Sequence, residues 1–151
     1  MTVAARTAQT PTATVRPLAI DVGTRRIGLA VSDPDEMIAQ PLETLQVRNR
    51  KQVLEALSRL TSRLGVERVV VGLPLNMDGS EGEAARAARV FAQRVASALG
   101  VPVDTFDERL TTVAAEDTLR ESGVRGAKRR AVVDRVAAAI LLRSYLDDRR
   151  R

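Results

Sequence analysis

The sequence predicts one α/β domain, in which a mixed five-stranded sheet carries helices on both faces. Three observations lead to this fold class: two apolar segments joined by a tight turn open the domain, strand-like and helix-like segments alternate after them, and residues 66–72 are apolar almost without interruption. An unbroken apolar run is typical of a strand that helices cover on both faces. The predicted order of elements is βββαβαβαα. The length of 151 residues fits one domain.

The opening hairpin contains the first candidate functional residue. Residues 18–22 and 27–31 are rich in Ile, Val, Leu and Ala, and Gly23 begins the turn between them. Asp21 lies inside the first of these strands, where a buried carboxylate is unfavourable unless a cation or hydrogen bonds compensate it. We therefore expect a positive charge beside Asp21. A carboxylate that caps the turn backbone through Asx-type hydrogen bonds explains Asp21 equally well.

The remaining strands follow from their apolar patterns. After a turn over residues 33–36, residues 40–47 alternate between apolar and polar side chains, and residues 66–72 and 101–106 form two further strands. Residues 73–82 are dense in Pro, Asn, Asp, Gly and Ser, which predicts a loop. Sites in open α/β sheets form beyond the carboxyl ends of the strands. The residues that follow each strand are therefore candidates for function.

Four segments have the pattern of helices. Gly65 and Gly100, which suit a left-handed C-terminal cap, end the first two. A basic loop over residues 123–130 is expected between the last two. The predicted helices cover residues 50–64, 83–99, 112–121 and 131–146.

The two ends of the chain differ in composition from the middle. Residues 1–16 contain Thr, Ala, Gln and Pro and little that could pack, which predicts a disordered leader. We expect the folded domain over residues 17–146 and a charged tail over residues 147–151. No apolar run has the length of a membrane span, and the N-terminus lacks a signal-peptide core. We therefore expect a soluble, cytoplasmic protein.

Composition excludes several kinds of chemistry. The chain has no histidine and no cysteine, which rules out Ser-His-Asp and Cys-His catalysis and zinc sites built from imidazole or thiolate. Catalysis must then come from carboxylates, hydroxyls, Lys, Arg or a hard metal ion with oxygen ligands. More than half of the formal net charge of +5 belongs to the two ends of the chain. Only local basic clusters therefore count as evidence for nucleic-acid binding.

Three carboxylates are candidates to meet at one end of the sheet. Glu108 follows the last strand, and it joins Asp21 if the two strands are neighbours. Asp134 lies near the start of the final helix, at the border of a predicted inward stripe. Clustered acids repel unless cations neutralise them, and paired Mg²⁺ or Mn²⁺ ions are the usual device for phosphodiester cleavage. Structural explanations exist as well, because Asp134 suits the helix dipole and Glu108 could pair with Arg109 at the surface. The predicted inward stripe consists of Val133, Ala137, Ile140, Leu141 and Ser144.

Four motifs carry a resemblance to a known family. They are IDVGT with IGLAVSD (residues 20–33), VGLPLNMDG (residues 71–79), DERLTT (residues 107–112), and Lys128 followed by Asp134 with the Ala-Ala and Ile-Leu pairs of the final helix. In this order they resemble the YqgF family, also called RuvX, which comprises bacterial RNase H-like proteins described as Holliday-junction resolvases and as nucleases that mature the 16S rRNA precursor. GLPLNMDG and DERLTT are highly specific, and the match covers residues 18–146.

The resemblance implies an RNase H-like fold and a metal-dependent nuclease. It implies that Asp21, Glu108 and Asp134 are catalytic and bind two ions, Mg²⁺ or Mn²⁺, with Asp21 bridging both. Asp107 is an alternative ligand, although strand alternation directs it away from the face of Glu108. The favoured substrate is the 5′ end of pre-16S rRNA, and branched DNA is the alternative. The sequence leaves open whether the protein is a monomer or a homodimer.

Basic and polar residues near the same end are candidate nucleic-acid contacts. Arg25, Arg26 and Arg109 are expected to hold substrate phosphates, with solvated arginines as the alternative. Asn76 and Asp78 either face the site or complete a turn. The strongest basic cluster precedes Asp134, and within it we assign backbone contacts to Lys128, Arg129 and Arg130, with a solvated helix entry as the alternative. That cluster consists of Arg125, Lys128, Arg129, Arg130 and Arg135.

Two rival classes remain open. The Asp-Val-Gly-Thr segment before an apolar strand also resembles the first phosphate loop of actin-like ATPases and sugar kinases. Those proteins need two such domains, and this chain has the length of one. The other rival is a protein of the same fold that binds RNA or a protein partner during ribosome assembly without catalysis. Within the nuclease class, a four-way DNA junction requires two active sites and hence a dimer, whereas a monomer can trim RNA.

Overall fold

The sheet is mixed and has five strands, which confirms the predicted fold class. The computed structural model describes residues 16–111 and 126–150, with the backbone alone over 126–132. β1 pairs antiparallel with β2 and parallel with β4. The order across the sheet is β3-β2-β1-β4-β5. The strands are β1 (Arg16–Val22), β2 (Arg26–Ser32), β3 (Ala39–Gln46), β4 (Val66–Leu73) and β5 (Val103–Asp107).

Three helices are described, and the first two have their predicted bounds. They are α1 (Arg50–Leu64), α2 (Glu83–Leu99) and α3 (Gly126–Arg149). The side chain of Asn49 caps α1 by accepting a hydrogen bond from the N–H of Gln52 at 3.2 Å. Gly65 and Gly100 end α1 and α2, each with a φ of 68°. Within the described ranges no helix is both long and apolar enough to cross a membrane. The helix predicted over residues 112–121 lies outside the described residues.

Alternation along the strands divides the interior into two cores. Leu18 and Ile20 of β1 pack with side chains of α1 and α2, whereas Ala19 packs with side chains of α3. Helices therefore cover both faces of the sheet, as predicted. Because side chains alternate between faces along a strand, Asp21 at the end of β1 belongs to the same face as Ala19. This face carries α3 and the candidate site.

α3 is longer than predicted. It begins at Gly126 instead of residue 131, so residues 126–130 are helical and the prediction of a basic loop is wrong there. Ala, Lys and Arg are strong helix formers, and the segment Ala-Lys-Arg-Arg-Ala over residues 127–131 extends the helix towards its N-terminus. Lys128, Arg129, Arg130 and Arg135 of the basic cluster are consequently on the same helix as Asp134, and Arg125 lies outside the described residues.

The predicted inward stripe of α3 is confirmed over its second half, where Ile140, Leu141 and Ser144 are buried. Val133 and Ala137, nearer the start of the helix, are partly exposed. The helix packs against the small side chains of Ala19 and Ala30. Asp134 lies on the side of α3 that approaches the sheet, with its backbone carbonyl against Gly28. The residues that pack in this core are Ala138, Ala139, Leu141, Leu142, Tyr145 and Leu146.

β1 and β5 are not neighbours, because β4 lies between them. The condition under which the sequence analysis joined Asp21 and Glu108, that their strands are neighbours, is therefore not met. The chain crosses through α1 to place β4 beside β1, and then through α2 to place β5 beside β4. Both strands are added on the side of β1 that faces away from β2. Glu108 must span the width of β4 to meet Asp21.

Both ends of the predicted domain fall inside secondary structure. Arg16, placed by the sequence in the leader, begins β1. Its guanidinium donates hydrogen bonds to the carbonyl oxygens of Ser32 at 2.7 Å and Leu64 at 3.0 Å. These contacts connect β1 to the ends of β2 and α1. At the other end, α3 continues to Arg149 and includes residues 147–149 of the predicted tail. Residues 1–15 lie outside the described residues.

Candidate active site

Asp21 occupies the carboxyl end of the central strand. It pairs in register with Gly28 of β2, and Gly28 lies where α3 comes closest to the sheet. A Cβ atom on Gly28 would overlap the backbone carbonyl of Asp134. The absence of a side chain at Gly28 therefore lets α3 bring Asp134 against the strand next to Asp21.

Glu108 reaches the same position from the edge of the sheet. It follows β5 and starts a short 3₁₀ turn, Glu108–Leu110. Its carboxylate lies directly over Gly72 of β4, where a Cβ atom would overlap it. The carboxyl group of Glu108 donates a hydrogen bond to Asp21. Gly72 thus explains how two acids on strands that are not adjacent come into contact.

The surroundings of both acids raise their pKa values. Burial raises the pKa of Asp21, the hydrogen bond from Glu108 opposes this, and the negative charge of Asp134 raises the pKa further. Burial raises the pKa of Glu108 to about 7, and the charge of Asp21 contributes to the same increase. Close, partly buried carboxyl groups of this kind are favourable for a cation and unfavourable for each other.

Asp134 is neutralised by an arginine. The Nε atom of Arg26 lies 2.5 Å from the Oδ2 atom of Asp134. Both side chains are about three-quarters buried, with 26% and 24% of their surfaces exposed. The positive charge that the sequence places beside Asp21 is thus paired with Asp134 instead. Across the described residues no three acidic side chains are arranged to hold one ion together, which agrees with Asp134 being turned towards Arg26.

Asp107 and Arg109 form a separate unit. Both carboxylate oxygens of Asp107 accept hydrogen bonds from the Arg109 guanidinium, at 2.7 to 3.1 Å. The side-chain hydrogen bond from Arg109 holds the pKa of Asp107 below its usual range. Arg109 also donates to the carbonyl oxygen of Met77 at 3.0 Å. Arg109 therefore pairs with Asp107 rather than Glu108, and it ties the β4–α2 loop to the end of β5.

Asn76 and Asp78 hydrogen-bond within that loop. Asp78 accepts from the backbone N–H and the hydroxyl of Ser80, at 2.9 and 2.6 Å. The side-chain amide of Asn76 donates to the same hydroxyl at 2.9 Å. The loop also contains Gly79 with a φ of 89°. These contacts are the turn chemistry that the sequence offered as the alternative to a role in the site.

Two of the candidate phosphate contacts, Arg25 and Arg26, lie beside Asp134. Arg25 and Arg26 line a shallow cavity of about 260 Å³ together with Asp134 and the turn residues Gly23 and Thr24. The backbone of α3 places Lys128, Arg129 and Arg130 in its first turns, just before Asp134; their side chains lie outside what the structure describes. The β1–β2 turn and α3 therefore both carry basic residues close in sequence or space to Asp134. Asp134, Asp21 and Glu108 are together called the acidic cluster below.

Three features of the site do not follow from sequence patterns. Gly28 and Gly72 both lie in recognised motifs, but the need for each glycine depends on a contact with a distant segment. The pairing of Arg26 with Asp134 joins residues 108 positions apart. The signal available in the sequence was the position of each glycine, in an apolar strand that would otherwise favour β-branched residues.

Comparison with known proteins shows which family this sequence matches. A family model described as "RuvX: Holliday junction resolvase" matches residues 15–148. A Chloroflexus aurantiacus protein named "Putative pre-16S rRNA nuclease" is 51% identical over 133 residues, which cover 88% of this chain and 87% of that protein. A protein of the same name from Moorella thermoacetica is 50% identical over 133 residues, covering 88% and 95% of the two chains.

Solved structures show the same fold at low identity. One of them is Thermus thermophilus RuvC, which was solved with a Holliday junction substrate. It superposes on this chain with a TM-score of 0.60 at 19% identity, and the aligned region covers 90% of this chain and 96% of RuvC. The Fowlpox virus resolvase, also solved with junction DNA, gives a TM-score of 0.56 at 10% identity and covers 91% and 100% of the two chains. The fold is that of the RNase H-like resolvases, and the chain belongs to the RuvX (YqgF) family of nucleases, which are hydrolases of phosphodiester bonds.

Proposed function

We propose that this protein is a divalent-metal-dependent nuclease that processes the 5′ end of pre-16S rRNA, with Asp21, Glu108 and Asp134 as its catalytic carboxylates. The observation that carries the proposal is the meeting of Asp21 and Glu108 across Gly72, with Asp134 brought alongside by Gly28. The name of the relatives that share half of its sequence supports the RNA substrate. A substrate of this kind suggests that the protein works in the cytoplasm.

The donor set fits a hard divalent cation. Its ligand atoms are carboxylate oxygens, which Mg²⁺ and Mn²⁺ prefer. Burial, and after it the charge of the neighbouring carboxylates, raises the pKa values of Asp21 and Glu108, and a cation bound beside them would favour their ionised forms. Gly28 and Gly72 admit the Asp134 backbone and the Glu108 carboxylate at positions that a Cβ atom would otherwise occupy, so both acids can approach Asp21. We assign Asp21, Glu108 and Asp134 as ligands of two metal ions, the number found in other phosphodiesterases. When bound, these ions would supply Lewis-acid stabilisation for phosphodiester hydrolysis.

The chain's own arginines have a defined part in this scheme. Arg26 neutralises Asp134 in the absence of a cation. If a cation were held by Asp134, the guanidinium of Arg26 would be available for a substrate phosphate, and the exposed Arg25 lies next to it. Lys128, Arg129 and Arg130 extend the basic surface along α3 and are assigned to the nucleic-acid backbone. Arg109 has a positioning role, because its contacts organise the loop beside Glu108.

The test is cleavage of an end-labelled 5′ precursor fragment of 16S rRNA in Mg²⁺ or Mn²⁺ and in EDTA. We expect metal-dependent cleavage by the wild type and none by Asp21→Asn, which keeps the shape of the side chain and removes its charge. Asp148→Asn, at an exposed position near the other end of α3, is the matched control and should cleave normally. Equal cleavage by Asp21→Asn and Asp148→Asn would contradict the assignment.

A four-way DNA junction is the second candidate substrate, because the matching family model describes a Holliday junction resolvase. The same three proteins should be assayed on a mobile junction under the same conditions. Asp21-dependent resolution of the junction without cleavage of the RNA would transfer the proposal to DNA. Folded wild type that cleaves neither substrate would favour a non-catalytic role in ribosome assembly.

A further inference from the structure

A second cavity lies on the opposite face of the sheet from the acidic cluster. Its volume is about 500 Å³, within the range of roughly 300–1,000 Å³ that is usual for small-ligand sites. It lies between the β1–β2 turn and the N-terminal turns of α1 and α2. Val22 and Ile27 of the hairpin form one wall, and Val53 and Phe91 of the helices form another. The hairpin and the two helices therefore both contribute apolar walls to the cavity.

Polar groups surround the opening of this cavity. Arg50, at the start of α1, and Glu83, at the start of α2, both line it and are exposed, as is Thr24. Within the described part of the chain, neither Arg50 nor Glu83 forms an ion pair or a side-chain hydrogen bond. A lone phosphate would be repelled by Glu83, and a lone cation would be repelled by Arg50. The opening suits a flat, uncharged ligand that has both donors and acceptors on one edge.

The cavity and the acidic cluster share the β1–β2 turn. Gly23 and Thr24 line both this cavity and the shallow cavity that contains Arg25, Arg26 and Asp134. The turn is fixed from two sides, since the N–H of Gly23 donates to the carbonyl of Arg26 at 2.9 Å and the N–H of Val47 donates to the carbonyl of Arg25 at 2.8 Å. A strand that crosses this turn would contact the arginines on one side and the apolar cavity on the other.

We propose that this cavity binds an unpaired nucleobase of the substrate strand, next to the phosphodiester bond that the acidic cluster cleaves. The proposal rests on the proposed function, because it takes the substrate to be a nucleic acid. A base with apolar faces and a polar edge matches the walls and the opening, and proteins commonly read unpaired RNA bases in this way. Guanine fits best, since along its Watson–Crick edge the O6 atom accepts from an arginine while N1–H and the N2 amino group donate to a carboxylate. Paired RNA cannot present such a base, so the cavity would direct cleavage to unpaired positions.

Filling the cavity tests the proposal. Ala87 lines the cavity from the exposed side of α2, so Ala87→Leu occupies space without disturbing the core. Ala98→Leu is the matched control, because Ala98 is exposed on the same helix, about three turns further on, and lies outside the cavity lining. Affinity for a labelled single-stranded RNA octamer, eight uridines or the same with one central guanosine, is measured by anisotropy in EDTA, where no cleavage is expected.

We expect Ala87→Leu to weaken binding of the guanosine-containing octamer roughly tenfold, the effect of losing one buried base contact, and Ala98→Leu to leave it unchanged. Glu83→Gln should reduce the preference for guanosine over uridine. Equal affinities of Ala87→Leu and Ala98→Leu, with equal unfolding midpoints, would overturn the proposal. A second readout covers a variant that folds poorly: adding guanosine 5′-monophosphate to wild type should shift the NMR methyl signals of Val22 and Val53, and unshifted signals also overturn it.

The cleavage assay separates this proposal from the proposed function. If cleavage depends on metal and on Asp21 while Ala87→Leu binds normally, the cavity proposal fails and the nuclease stands. If the octamer binds in an Ala87-dependent manner and no variant cleaves any substrate, the nucleobase site stands and the nuclease assignment fails.

Discussion

Replacing Glu108 with glutamine should stabilise the metal-free protein at alkaline pH. Glutamine keeps the shape of the side chain and can still donate a hydrogen bond to Asp21, but it removes a carboxylate that must ionise beside another one. The pKa of Glu108 is raised to about 7 from an ordinary value of 4.5. Between these two values the folded wild type keeps a proton that the unfolded chain has lost. The free energy of unfolding therefore falls as pH rises through this window and levels off above about 7.

The magnitude follows from the same pair of values. A pKa of about 7 against 4.5 corresponds to an upper limit of roughly 3 kcal/mol, at about 1.4 kcal/mol for each pH unit. Because Glu108 is only partly buried, solvent screening reduces this to about 1–2 kcal/mol. We expect Glu108→Gln to exceed the wild type by that amount in EDTA at pH 8 and to equal it at pH 4. Glu55→Gln, at an exposed position on α1, should show no such difference.

Urea unfolding, monitored by circular dichroism, measures these free energies of unfolding. Divalent metal should reverse the order of stability of Glu108→Gln and the wild type. A cation that binds the folded wild type stabilises it by mass action, while the variant has lost one ligand. In millimolar Mn²⁺ at pH 8 the wild type should therefore gain more stability than Glu108→Gln does. Equal stability of the two proteins at pH 8 in EDTA would refute the idea that Glu108 and Asp21 repel each other in the folded state.

Three further variants test other parts of the site. Arg26→Gln frees Asp134 from its ion pair, so Mn²⁺ affinity in calorimetry should rise on the order of tenfold while RNA binding weakens; weaker Mn²⁺ binding would show that Arg26 supports the metal site. Gly72→Ala displaces the end of the flexible Glu108 side chain, so cleavage should fall roughly 100-fold with little change in unfolding; normal cleavage would show that this close approach is unnecessary. Replacing Lys128, Arg129 and Arg130 with Ala should weaken RNA binding and flatten its salt dependence, by a slope of roughly one for each lost contact. The control variant, Arg59→Ala with Arg63→Ala on α1, should change neither property. An unchanged salt dependence of the triple variant would place the substrate elsewhere.

Local features of this fold could be predicted from the sequence because each depends on nearby residues. The bounds of α1 and α2 follow from helical spacing that ends at Gly65 and Gly100, and the hairpin follows from two apolar segments around a glycine turn. The face of Asp21 follows from strand alternation. In each case the same few residues determine both the pattern and the structure.

Features that depend on contacts between distant segments could not be predicted in this way. Nothing in the pattern of β5 shows that β4 separates it from β1, because an apolar strand can occupy any interior or edge position. The contact of Glu108 with Asp21 requires both that order and the missing side chain at Gly72. The packing of α3 on the sheet likewise depends on Ala19 and Ala30, more than a hundred residues earlier in the chain.

We propose above that Asp21 and Glu108 form part of a cation site, and a metal ion bound there should displace a proton. Calorimetric titration of Mn²⁺ at pH 6, in two buffers that differ in ionisation enthalpy, measures binding and proton release together. We expect the wild type and Asp148→Asn to bind Mn²⁺ with release of up to one proton, because Glu108 with a pKa of about 7 is mostly protonated at that pH. Asp21→Asn should bind Mn²⁺ much more weakly, and Glu108→Gln should release no proton. Mn²⁺ binding that is the same in all four proteins, with no release of protons, would contradict the account.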